Sequence, residues 1–254
     1  MDVLDCIENR SSVRVYKDEP LSEREFDILV RAALRAPSAG NLLQYSIVAV
    51  TDQATKHQLC EMMGRQPFIK KAPLLMIFNA DEHRIEKWLE RWGGHFHFDG
   101  QYVFHIACSD ALIASENVVL AAEALGLGSV YVGNVIGRAN QVRQLLGYPR
   151  HVVPVALLCI GRPLFPPAKR ERLSVRAILH KERYQDYTDE EMTEIYGGLE
   201  SEWATKNPEG LTIAGGVKVR SRAEWTMNAH YTEEHIRTGD EEMKRAMVEA
   251  GFRL

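Results

Sequence analysis

Residues 115–133 read SENVVLAAEALGLGSVYVG, and this stretch predicts a buried helix followed by a strand. The helix is expected to run from about His105 to Leu125, because small and apolar residues surround most of its circumference. Such a helix is packed on several sides, often between subunits. Gly126 ends it, and Ser129–Gly133 predicts a short strand. The segment fails as a dinucleotide-binding glycine fingerprint, because a third glycine is missing and it follows a helix instead of opening one.

On both sides of this stretch, strands alternate with helices. The continuous apolar run Ala72–Phe78 predicts a strand covered on both faces, and Tyr45–Val50 and Val152–Ile160 predict two more. Ser22, with Glu25 three residues later, predicts the capping box of a helix that precedes these strands. The alternation predicts an α/β or α+β fold with a central sheet.

The chain after Pro167 is polar and charged. Its patterns predict helices near residues 188–204, 222–237 and 240–250, with a flexible loop at 210–216. Because this tail has few apolar residues of its own, we expect it to pack on a partner subunit or on the main body.

The composition is that of an ordinary globular protein. The 254 residues carry a net charge of −4, with 45% apolar and 26% charged residues. Without a global basic field, generic nucleic-acid binding is not expected. Four scattered cysteines, with no C-x-x-C pair, argue against a disulfide framework or a zinc site. The first residues do not resemble a signal peptide, and no run is expected to reach the apolar length of a membrane span, so we expect a cytoplasmic protein.

Arg10, Ser12 and Arg14 form the first candidate site. Two guanidinium groups four residues apart, with a hydroxyl between them, suit a phosphate or another anion. The alternative is a solvated basic turn. The run Lys169–Arg172 is either a solvated face or a second set of cations for the same phosphate.

The turn-forming residues Pro37–Asn41, followed by Gln44, are the second candidate site. Their backbone N–H groups and amide side chains suit a polar planar ligand, although a plain helix-to-strand loop has the same composition. Residues 83–105 are rich in His and aromatic side chains and predict a mobile, aromatic-lined lid. His95 and His97 lack carboxylate partners at a recurring spacing, so no metal is expected. The motifs of α/β-hydrolases, zincins and P-loop NTPases do not occur.

Taken together, four segments resemble the flavin-dependent nitroreductase superfamily. They are residues 10–16, residues 36–44, residues 115–133, and Gly161-Arg162-Pro163 followed by Arg170 and Arg172. Their order and spacing hold from about residue 4 to 185. Within the family, the sequence looks most like the NADPH-preferring nitroreductase A and flavin reductase group.

The resemblance implies an α+β, nitroreductase-like fold, in which helices surround a central, mostly antiparallel sheet in an intertwined homodimer. Residues 1–185 would form the FMN-binding domain. Residues 186–254 would be a C-terminal helical extension that packs on the domain or on the partner subunit.

The family's cofactor contacts, carried over position by position, place the FMN phosphate on Arg10 and Ser12, joined by Arg170 and Arg172. Arg14 and Gln66 would meet the pyrimidine edge, and the backbone N–H of Gly133 would lie near flavin N5. Ser38–Asn41 would reach the flavin from the other subunit. The full implied set is Arg10, Ser11, Ser12, Arg14, Ser38, Ala39, Gly40, Asn41, Gln66, Tyr131, Val132, Gly133, Arg170 and Arg172.

The activity implied is FMN-dependent NAD(P)H oxidoreduction, with two electrons passed by a ping-pong mechanism to nitroaromatics, quinones or free flavin. NADPH or NADH would be the co-substrate, and Arg220 and Arg222 would receive the 2′-phosphate of NADPH. No catalytic side chain is expected, because the hydride chemistry belongs to the flavin. Two alternatives stay open: the same fold as a reductive dehalogenase or flavin-degrading enzyme, and a non-catalytic flavin-binding protein. Two residues depart from the family pattern. Ser11 stands where a basic residue or His is usual, and Asn134 stands where a Gly is usual.

Overall fold

The computed structural model describes residues 2–254 and confirms an α+β fold. Its first half alternates strands and helices. The elements are α1 (Val3–Asn9), α2 (Glu23–Leu34), β1 (Tyr45–Val50), α3 (Gln53–Met62), α4 (Pro67–Lys71), β2 (Leu74–Asp81), α5 (His83–Trp92), α6 (Gln101–Ala124), β3 (Gly128–Val132), α7 (Ala139–Leu146), β4 (Val152–Gly161), α8 (Asp189–Lys206), β5 (Leu211–Thr212), β6 (Lys218–Val219), α9 (Arg222–Trp225) and α10 (Glu233–Glu249). The capping box predicted for α2 is present, since the side chain of Ser22 accepts from the backbone of Glu25 and the Glu25 carboxylate accepts from that of Ser22.

The main sheet has the strand order β1-β2-β4-β3, and its neighbouring strands are antiparallel, as expected. The two central strands, β2 and β4, are buried along their whole length. Successive residues of β2 enter different cores: Leu74 and Met76 pack in one with α2 and α6, and Leu75 and Ile77 pack in the other with α3, α4 and α7. Two covered faces explain why this strand is apolar throughout and does not alternate.

Helix α6 lies against the sheet and begins at Gln101, one turn before the predicted start. It is long and apolar enough to cross a membrane by length and composition alone, which was not expected from the sequence. Its packing gives the reason, because a helix that contacts α2, β2 and β4 needs apolar residues on several faces.

The chain divides into two compact units, residues 1–169 with 239–254, and residues 170–238. The last residues belong to the first unit because Ala246, Met247, Ala250 and Phe252 are buried in its core. The division expected at residue 185, with residues 186–254 as a C-terminal extension, stays a prediction.

The second unit consists of α8, a short hairpin and α9. The carboxylate of Glu200 in α8 accepts from the backbone N–H groups of Arg222 (2.7 Å) and Ala223 (3.0 Å) at the start of α9. The loop expected at residues 210–216 contains β5 and leads to β6. The two short strands pair in antiparallel fashion over two residues each. The sequence patterns near 222–237 and 240–250 resolve into a short helix and the continuous helix α10.

Candidate active site

The segment from Arg10 to Arg14 lies along the outer edge of β3. Ser12 forms an isolated parallel bridge with Ser129, and the Val13 N–H donates to the Ser129 carbonyl at 2.9 Å. A Cβ atom on Gly128 would lie 2.3 Å from Val13 Cγ2, so only glycine permits this close approach. The two glycine-rich and arginine-rich segments of the sequence are therefore neighbours in space.

Arg10 and Arg14 are unpaired cations on this edge. Among residues 2–254, neither guanidinium group makes an ion pair or donates a hydrogen bond. Arg10 lies close enough to Glu123 to act on its carboxyl: burial raises the pKa of Glu123, and the charge of Arg10 offsets part of that rise. Ser12 is exposed beside them, whereas Ser11 is buried. The arrangement presents two guanidinium groups and one hydroxyl to an anion.

Arg14 also connects this edge to the predicted pyrimidine contact. Its guanidinium carbon lies 5.9 Å from the centroid of the Phe68 ring in α4. Gln66 caps the same short helix, and its side-chain amide donates to the Met63 carbonyl at 3.0 Å. The fold thus brings Arg14 near the start of α4, although more than 50 residues separate it from Gln66 along the chain.

The end of β3 contributes Tyr131, Val132 and Gly133. The Tyr131 hydroxyl lies 2.7 Å from Ser115 Oγ and donates to Glu116 at 3.3 Å, and burial raises its pKa. The side chain of Val132 is buried in the core, so it is not available to a ligand. A Cβ on Gly133 would meet nothing within 4 Å, so this residue faces open space.

The loop that follows α2 has a strained backbone. Three of its residues, Gly40, Asn41 and Leu43, have φ values of +58°, +56° and +48°. The left-handed conformation costs a residue other than glycine about 1–3 kcal/mol and persists only where the surroundings impose it. The Ser38 hydroxyl accepts from the Leu43 N–H at 3.1 Å, which is one such contact.

Two residues that the sequence analysis missed hold this loop from outside. Asp110 of α6 accepts from the N–H groups of Ala39 (3.0 Å) and Gln44 (3.2 Å). Arg84 of α5 donates to the carbonyls of Leu42 (2.8 Å) and Leu43. An aspartate in the middle of an apolar helix was the available signal for Asp110. Nothing in the local sequence of Arg84 points to its partners.

The other predicted arginines belong to the second unit. Arg170 and Arg172 are exposed, and neither makes an ion pair within residues 2–254. Arg220 is exposed, and the guanidinium carbon of Arg222 lies 4.4 Å from the Trp225 ring centroid. The binding of the FMN phosphate by Arg170 and Arg172, and of the NADPH 2′-phosphate by Arg220 and Arg222, stays a prediction.

The predicted lid begins as a regular helix, α5, whose Trp88 and Trp92 are exposed, as is Tyr102 at the start of α6. The ring of His97 turns back to the backbone, with Nδ1 3.0 Å from the His95 carbonyl oxygen. The mobility of this segment stays a prediction.

Comparison with known proteins identifies the family. The model of the nitroreductase family matches residues 7–162, which is more than half of the chain. The chain belongs to the nitroreductase family. The matched nitroreductase segment contains Arg10, Arg14, the 38–44 loop and the end of β3.

Two sequence relatives come from Bacillus subtilis. An enzyme named FMN reductase [NAD(P)H] is 33% identical over 215 residues, covering 82% of this chain and 85% of its own. Another, named FMN reductase (NADPH), is 31% identical over 191 residues, covering 74% and 77%. Among solved structures, NfrA2 of B. megaterium is 28% identical with a TM-score of 0.86, and the match covers 100% of this chain and 99% of that one. The nitroreductase-like fold expected from the sequence is therefore confirmed.

Proposed function

We propose that this protein is an FMN-dependent NAD(P)H oxidoreductase that passes two electrons to nitroaromatics, quinones or free flavin by a ping-pong mechanism. One observation carries the proposal: two unpaired guanidinium groups, Arg10 and Arg14, lie on the same strand edge that ends at the open Gly133. The names of the relatives support the same chemistry.

The residues present suit FMN. Arg10 and Ser12 would bind its phosphate, because forked guanidinium donors and a hydroxyl match a doubly charged anion. Arg14, together with Gln66, would bind the polar edge of the ring system. When bound, FMN supplies the two-electron chemistry between NAD(P)H and the acceptor. A fixed positive charge from Arg14 would stabilise negative charge that develops at that edge. The backbone N–H of Gly133 would lie near flavin N5.

A homodimer belongs to this proposal. The exposed residues Val3, Leu4 and Ile7 form one apolar face of α1, and Leu112 and Ile113 of α6 are exposed as well. Covering these side chains with a second copy would remove apolar surface from water. The 38–44 loop of one subunit would then reach the flavin of the other. We expect a mass of twice 28.8 kDa by sedimentation.

The finer assignments are also proposed. Arg170 and Arg172 would add charge at the phosphate, and Arg220 and Arg222 would receive NADPH. Residues 1–185 would carry the flavin, and residues 186–254 would be the extension. A cytoplasmic location fits four free cysteines and the use of NAD(P)H.

The decisive experiment is a flavin titration followed by rapid reduction. The purified protein, or the apo-protein with added FMN, should show a flavin spectrum and bleach on mixing with NADPH in a stopped-flow instrument. Consumption of NADPH should then depend on nitrofurazone, a quinone or free FMN. A colourless protein that does not bind added FMN would refute the proposal. Binding without bleaching on a catalytic timescale would identify a non-catalytic flavin-binding protein.

A further inference from the structure

The 38–44 loop does not maintain its own conformation. Leu43 is unfavourable in the left-handed region, whereas Gly40 and the exposed Asn41 tolerate it better. The bonds inside the loop are few: the Asn41 and Leu42 N–H groups donate to Ser38 and Ala39, and the Leu43 N–H donates to the Ser38 hydroxyl. Contacts from outside the loop must therefore select this conformation.

Asp110 supplies the contacts on the N–H side. Its side chain is only 3% exposed, and its two oxygens accept from the N–H groups that flank the loop, those of Ala39 and Gln44. Hydrogen bonds to an ionised acceptor are shorter and stronger than neutral ones. One carboxylate on the rigid α6 thus fixes both ends of the loop.

Arg84 supplies the contacts on the carbonyl side. The same Nη2 atom donates to the carbonyls of Leu42 and Leu43, the two residues before Gln44. Its own backbone N–H donates to Asp81 Oδ1 at 3.2 Å, which ties the start of α5 to the end of β2. The loop is therefore held by the Asp110 carboxylate at its N–H groups and by the Arg84 guanidinium group at its carbonyls.

We propose that Asp110 and Arg84 are positioning residues that hold Ser38–Asn41 in the conformation that meets the flavin. This inference rests on the proposed function, in which that loop contacts FMN. Both side chains hydrogen-bond to the backbone of the loop, so they act through the loop and leave its own side chains free for the ligand. The loop is ordered before the flavin arrives, and binding does not bear the entropy of ordering it.

Asp110→Asn is the sharpest test, because the amide has the same shape but only one oxygen. Its NH₂ group cannot accept from a backbone N–H, so one of the two hydrogen bonds to the loop is lost. We expect FMN to bind the apo-protein about tenfold more weakly, since one strong hydrogen bond is worth about that factor. The visible circular dichroism of bound FMN should change as well. Arg84→Lys, at an exposed position, keeps the charge but loses the guanidinium geometry, and should weaken binding about three- to tenfold.

Leu59→Ala is the matched control, because Leu59 is fully buried in the core on the other face of the sheet. It should lower the melting temperature at least as much as Asp110→Asn does, while FMN affinity and dichroism stay at the wild-type values. Wild-type affinity and dichroism in both Asp110→Asn and Arg84→Lys would overturn the inference.

Hydrogen exchange in the FMN-free protein separates this inference from the proposed function. The Ala39 and Gln44 amides should exchange about tenfold faster in Asp110→Asn than in Leu59→Ala. If the wild type binds no FMN, the proposed function fails, and the exchange rates still decide whether Asp110 holds the loop. Unchanged exchange of both amides would overturn the positioning role.

Discussion

Glu82 shows how one buried residue sets a property of the folded state. Its side chain is fully buried, and neither carboxyl oxygen has a hydrogen-bond partner among residues 2–254. Burial, followed by the negative charges of Asp81 and Asp110, raises its pKa from 4.5 to about 8, while the charge of Arg84 acts in the opposite direction. The carboxyl is therefore protonated at neutral pH in the folded protein and ionised in the unfolded chain.

This difference predicts a pH-dependent stability. Between about pH 4.5 and pH 8 the folded state binds the extra proton, so the free energy of unfolding falls as the pH rises through that window. Glu82→Gln mimics the protonated form and removes the fall. We expect the variant to exceed the wild type by about 1–3 kcal/mol at pH 8, and by little at pH 4.5.

Denaturant unfolding across this pH range provides the measurement. Glu90→Gln is the matched control, since Glu90 is exposed on α5, the helix that Glu82 immediately precedes. A gap between Glu82→Gln and wild type that stays constant with pH would show that Glu82 does not carry the effect.

Arg10 tests the phosphate assignment at the same scale. Arg10→Ala removes an unpaired guanidinium, and we expect FMN to bind about 10- to 100-fold more weakly, as for the loss of a strong charge-assisted contact. His95→Ala, at an exposed position, should leave the affinity unchanged. Fluorescence titration of FMN into both apo-proteins provides the comparison. Equal affinities for Arg10→Ala and wild type would refute the assignment.

At the scale of elements, Gly128 allows the arginine-bearing segment of residues 10–14 to lie against the edge of β3. A methyl group there would overlap Val13, whose side chain is itself buried. We expect Gly128→Ala to lower the free energy of unfolding by about 1–3 kcal/mol, as overpacking does, and to weaken FMN binding by displacing residues 10–14.

Gly198→Ala provides the contrast. A Cβ at Gly198, inside α8, meets nothing within 4 Å, so the change should be neutral or mildly stabilising. Denaturant unfolding compares the two variants. A Gly128→Ala protein as stable as wild type would mean that the edge of β3 can accommodate the methyl group.

At the scale of the whole molecule, the chain's last residues complete the first unit. Phe252 is 3% exposed and contacts the rings of Phe104 and His151, with centroids 5.0 and 5.4 Å away. The His151 N–H donates to the Ala250 carbonyl at 2.7 Å, which joins the start of β4 to the end of α10. Residues nearly 150 positions apart thereby share one core.

Phe252→Ala should therefore destabilise the protein strongly. We expect a loss of about 3–5 kcal/mol, the usual cost of truncating a buried aromatic side chain. Leu254→Ala, two residues later and 55% exposed, should change the stability by less than about 0.5 kcal/mol. Equal stability of the two variants would show that the C-terminal segment does not close the core.

Local patterns predicted the elements well where the physical cause is local. The capping box of α2 depends on residues three apart, and the apolar run of β2 reflects two covered faces. Between residues 82 and 104 no helix was predicted from the local pattern, although Ile85, Trp88, Leu89 and Trp92 recur at the helical spacing that α5 adopts. Local patterns predicted helix over most of α10 but not its continuity from Glu233 to Glu249, nor that its last residues enter the core of the first unit.

The sequence by itself determined the family and the sheet-and-helix class, and it predicted the arginines of the candidate site, because these depend on residue types at short, fixed spacings. Only the tertiary structure decided that Arg14 approaches α4, that Asp110 and Arg84 hold the 38–44 loop, and that Glu82 is buried without a partner. Those contacts join residues tens of positions apart. Their strength depends on burial and on the direction of hydrogen bonds, which no local pattern encodes.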